Sequence, residues 1–74
     1  MVVYTRHARK RMAERRVPES QVVEIVESPD EIAIGDNGEM IAIRYFALHE
    51  IRVVYREPDT NTVLIITVIK TGVR

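Results

Sequence analysis

A chain of 74 residues without cysteine holds one domain, residues 1–74, and no disulfide can staple it. Its 46% apolar and 30% charged residues exclude a disordered chain. The longest apolar run, Val63 to Ile69, contains a threonine and is far too short to span a bilayer, so no membrane association and a cytoplasmic location are expected. The net charge of zero conceals a strong asymmetry. Residues 1–16 carry plus five, residues 17–50 minus seven and residues 51–74 plus two. A basic first segment beside an acidic middle bears on partners rather than on fold.

Val2-Val3-Tyr4 is a short β-prone lead-in. Thr5 suits the N-cap of a first helix reaching about Arg16, built from good helix formers with a thin apolar stripe of Ala8 and Met12. Val17-Pro18 interrupts the helical pattern, because the residue before proline avoids the α region. Pro18 then suits the first turn of a second helix, whose stripe is Val22, Val23, Ile25 and Val26 and whose end is Ser28-Pro29. Beyond it the period drops to two. Glu31–Ile34, Met40–Phe46, Ile51–Arg56 and Thr62–Lys70 read as strands, separated by turn-rich Gly35–Gly38, by Ala47–Glu50 and by Glu57–Asn61. The expected architecture is α+β: two N-terminal helices packed on a four-stranded antiparallel meander.

Simple alternation puts Ile41, Ile43, Tyr45, Ile51, Val53, Tyr55, Val63, Ile65, Thr67 and Ile69 on one face, under the helices. The opposite face then collects Arg44, Arg52, Arg56 and Lys70 with Phe46, Val54, Leu64, Ile66 and Val68. Four cations and an aromatic on one face suit a nucleic-acid backbone; charges that protect exposed strands would look the same. Apolar residues on both sides of the last strand exceed what one helical layer covers. Either that strand is central in a curved sheet, or a partner such as a second copy covers part of the second face, while high β-propensity alone would give the same composition. Tyr45 and Tyr55 read as core aromatics with hydroxyls at the rim.

No phosphate loop, dinucleotide fingerprint, zinc spacing or nucleophile elbow is present, and no cofactor or metal is expected. The chemistry-bearing residues that remain lie on the first helix. His7, Arg11 and either Glu14 or Arg15 recur at spacings of three and four and project along one side. Histidine exchanges protons near neutral pH and arginine clamps phosphates, so the row could bind RNA and take a proton from a 2′-hydroxyl. A solvated helix face accounts for the same spacing.

The string His7-Ala8-x-x-Arg11-Met12-x-Glu14-Arg15, followed by Val17, Ser28-Pro29-Asp30, Ile51–Tyr55 and Leu64–Val68, resembles a widespread bacterial family, the domain of unknown function 4258. The resemblance covers nearly the whole chain. It implies a fold like that of RelE-type toxins and related small ribonucleases, which cut RNA without metal. It implies His7 and Arg11 as helix residues of a site, with Arg52, Tyr55 and Thr67 from the strands. Arg16 departs from the pattern, standing where many members carry glycine after the first helix.

The expectation is therefore a metal-independent ribonuclease-like or RNA-binding domain of the toxin-like class. His7 is the acid/base in this reading, Arg11 and Arg52 hold phosphate, and Tyr55 and Thr67 orient the reacting oxygens. Arg15, Arg44, Arg56 and Lys70 bind the RNA backbone. The alternative is a non-catalytic module that dimerises, or docks an antitoxin-like protein, through its sheet.

Overall fold

A computed structural model describes residues 1–72. The chain runs β1 (Val2–Tyr4), α1 (Arg6–Arg15), α2 (Glu19–Glu27), β2 (Glu31–Ile34), β3 (Met40–Tyr45), β4 (His49–Asp59) and β5 (Thr62–Gly72). The α+β class and the two helices match the expectation. The sheet is mixed and five-stranded, in the order β1-β5-β4-β3-β2. Its fifth member is the lead-in: Val2, Val3 and Tyr4 pair parallel to Val63, Leu64 and Ile65 at the edge of the antiparallel meander. Three β-prone residues are too few to announce a strand, but β5 offers them a ready edge.

Thr5 joins β1 to α1 and ties both to β5. Its Oγ1 accepts from the backbone N–H of Ala8 at 3.0 Å, the expected N-cap, and donates to the carbonyl of Ile66 at 2.9 Å. Its N–H donates to the carbonyl of Ile65 at 3.0 Å. At the other end Arg16 is left-handed, with φ 56° and ψ 47°. Arg16 N–H donates to the Ala13 carbonyl and Val17 N–H to the Met12 carbonyl, a Schellman arrangement closed by apolar Val17 and Met12, both buried. Pro18 is the extended N-cap residue of α2 rather than part of its first turn.

One core fills the space between helices and sheet: Ala8, Met12, Val17, Val22 and Ile25 from the helical layer meet Ala42, Ile51, Val53, Tyr55, Ile65 and Val68. This membership corrects the face assignment from alternation. The register pairs Ala42 with Val53 and Ile41 with Val54, so Met40, Ala42 and Arg44 lie on the helix side, while Ile41, Ile43 and Tyr45 lie on the open side. On β5 a bulge between the Tyr55–Ile65 and Val54–Thr67 pairs leaves Ile66 without a cross-strand partner. One extra residue resets alternation. Val63 and Ile65 face the helices before it and Val68 after it, while Thr67 and Ile69 turn to the open side. Among the described residues no helix is long and apolar enough to cross a membrane.

Candidate functional site

α1 lies against β5 beyond the three residues that β1 covers, with its start fixed by Thr5 on the bulge. Residues four apart share a helix side. His7, Arg11 and Arg15 accordingly form one lip of an open groove of about 370 Å³, whose floor is Thr67, Val68 and Ile69. The bulge decides what the floor contains. Without it Thr67 would face the core beneath the helices.

The groove is cationic and largely uncommitted. His7 is exposed, and among the described residues its ring nitrogens have no hydrogen-bond partner. Arg11 holds Glu14 at 3.0 Å in an exposed pair of the kind worth only tenths of a kcal/mol, easily surrendered to a ligand. Of the two candidates for the third place in the row, Arg15 lines the groove and Glu14 is turned to Arg11. Thr67 is half-buried, and among the described residues its hydroxyl makes no hydrogen bond.

Arg52 joins this side of the sheet one strand further in, as the cross-strand partner of Ile69. Its Nε donates to Glu50 Oε2 at 2.6 Å, and this bond holds the guanidinium pKa above its ordinary value. Glu50 pairs in register with Tyr45, whose hydroxyl donates to Glu31 Oε1 at 2.7 Å. That hydrogen bond raises the Tyr45 pKa, with desolvation adding to it. Glu31, Tyr45, Glu50 and Arg52 thus form a polar cluster on the open face. Tyr45, expected in the core, and Glu50, expected in a connection, both lie on this face. The two-residue spacing of Glu50 and Arg52 is the signal in the sequence that puts both on one side of a strand.

The remaining expected site residues lie elsewhere. Tyr55 is 5% exposed, packed in the core on the helix side, and burial raises its pKa. The structure therefore separates it from Thr67 by the thickness of the sheet. The expected four-cation face does not exist. Arg44 is on the helix side, 3.0 Å from Glu24 of α2 and over the ring of Phe46, which stacks on His49. Lys70, also on that side, donates to the carbonyl of Arg15 at 3.4 Å, a favourable place for a cation at a helix C-terminus. Arg56 is on the open face but is engaged by the Asn37 carbonyl at 2.9 Å and by Glu39 at the β2–β3 turn. Register, not residue type, splits the four.

The family model for the domain of unknown function 4258 matches residues 4–70, and the chain belongs to that family. No curated protein and no solved structure matches it.

Proposed function

We propose that this member of the domain of unknown function 4258 family binds RNA in the α1–β5 groove and cleaves it without metal, as a cytoplasmic ribonuclease-like domain of the RelE toxin-like class. The observation that carries this reading is the convergence of His7, Arg11, Arg15 and Thr67 on one open groove. Arg11 and Arg15 hold the backbone phosphate, and Thr67 donates a hydrogen bond to one of its oxygens. His7 takes the proton of the 2′-hydroxyl as the 2′-oxygen attacks phosphorus. The bond to the 5′-oxygen breaks, and that oxygen receives a proton from His7 or water, leaving a cyclic phosphate and a free 5′-hydroxyl.

The test is incubation of the pure protein with RNA in EDTA, beside His7→Ala and the double variant Arg11→Ala, Arg15→Ala. The expected result is cleavage by the parent, loss of cleavage with retained binding in His7→Ala, and loss of both in the double variant. No cleavage and no salt-dependent binding by the parent would overturn the reading.

A second reading has its own observation. The open face exposes Val3 by 38% and Ile69 by 45%, and the β2 edge exposes Ile32 by 51% and Ile34 by 72% on the helix side of the sheet. Such a surface suits a second copy or an antitoxin-like partner. Leu64→Lys, on the open face, should then convert a dimer to a monomer in sedimentation. A monomeric parent that gains no mass with an added partner would remove this reading.

A further inference from the structure

The Glu31–Tyr45–Glu50–Arg52 cluster is not needed to line the α1–β5 groove, yet it shares the open face with the groove's Thr67 and Ile69. Its construction is directional. The Glu50 side chain is 18% exposed and that of Arg52 43%, so the carboxylate is recessed and the guanidinium stands above it. Glu50 occupies Nε, and among the described residues both Nη groups are without partners. An arginine held in this way presents the edge that grips a phosphate. Tyr45, across from Glu50 on β3, is 46% exposed while its hydroxyl is anchored to Glu31 on β2. A ring fixed at its polar end and open to solvent is a platform for an unpaired base. Ile69 on β5 pairs with Arg52 on β4, and Tyr45 on β3 lies one strand further and two residues along, opposite Glu50, about 12 Å from Ile69.

We infer that Tyr45 and Arg52 form a nucleotide subsite continuous with the groove: Arg52 takes a phosphate, Tyr45 stacks the adjoining unpaired base, and Glu50 is the positioning residue for Arg52. The inference rests on the RNA-binding reading and makes the ligand single-stranded, since a paired base offers no free face to Tyr45.

Binding of a labelled oligouridylate, with inorganic polyphosphate as a ligand of charge alone, tests it. Tyr45→Ala should weaken oligouridylate about tenfold and leave polyphosphate unchanged. Arg52→Ala should weaken both and lower the salt slope by about one. Glu50 supplies the sharpest contrast. Removing a carboxylate beside a phosphate site should strengthen anion binding if charge alone matters, whereas Glu50→Ala should weaken both ligands by freeing Arg52. Glu50→Gln, which keeps an acceptor for Nε, should bind at least as tightly as the parent. Tighter binding by Glu50→Ala, or parent-like oligouridylate binding by Tyr45→Ala, overturns the subsite. If those variants bind like the parent while the Arg11, Arg15 double variant does not bind, the groove stands and the subsite falls. A parent that fails to bind RNA removes both.

Discussion

Arg16→Gly is expected to stabilise the protein, although it deletes a large side chain and adds no contact. Arg16 sits at φ 56°, where Cβ crowds the following carbonyl oxygen at a cost of roughly 1–2 kcal/mol for an L-residue with a side chain. Glycine escapes that cost but has a more mobile unfolded chain, which returns roughly 0.4–1 kcal/mol. The balance is a gain of about 0.5–1 kcal/mol. In a domain of this size each kcal/mol moves Tm by roughly 4–8 °C, so the midpoint should rise by about 2–8 °C. Circular dichroism melts and urea titrations measure it. The control is Arg16→Ala, which removes the same charge from the basic helix but keeps the Cβ in the left-handed region. Its stability should stay near the parent's. Because the Schellman hydrogen bonds come from backbone groups, both variants keep them. If glycine and alanine behave alike, the effect is one of charge and the strain argument is refuted. If glycine is less stable than alanine, the unfolded-state term has been underestimated and the sign is wrong.

Thr5→Val keeps the shape of the side chain and removes its two hydrogen bonds, to Ala8 N–H and to the Ile66 carbonyl; urea titration should show a loss of about 1–2 kcal/mol. Asp59 accepts from the Asn61 N–H at 2.8 Å, and this bond holds its carboxyl below the ordinary value of 3.8. A depressed carboxylate contributes stability above its unfolded pKa and loses it as pH falls through the folded one. Asp59→Ala should thus be less stable than the parent at pH 7, with the gap closing below about pH 3.8 in thermal melts. A gap independent of pH would assign the effect to the turn conformation instead.

Much of the fold was legible because helices and strands announce themselves locally. Thr5 as N-cap, the break at Val17-Pro18 and the strand Glu31–Ile34 all follow from nearest neighbours, and the structure places them there. The helical row of the site was legible for the same reason, since a spacing of four is enough to align His7, Arg11 and Arg15. What escaped depends on pairing between distant residues. Ile41-Ala42-Ile43 is apolar throughout, so no polar residue marks which side is buried. The register buries small Ala42 beneath the helices and leaves two isoleucines on the other face. Ile43 is 4% exposed there without joining the core cluster, between Glu31 and Arg52 in the register, where the stems of long side chains cover it.

The bulge at Ile66 has the larger consequence for function. Nothing in Leu64-Ile65-Ile66-Thr67-Val68 signals an extra residue, because every position but one is aliphatic. Continued alternation would set Thr67 with Ile65 under the helices, where its hydroxyl would need a buried partner, and would expose Val68. Adding one residue relieves both problems at once: Val68 enters the core at 1% exposure and Thr67 moves to the groove beside α1. The Ile66 carbonyl, at the bulge, is the group that accepts from Thr5 and so fixes where α1 begins. The same irregularity therefore sets the floor of the groove and anchors its lip. The helical row and Thr67 are brought together by one inserted residue in β5, and Tyr55, on β4 where Ile51, Val53 and Tyr55 keep the alternation, is left in the core.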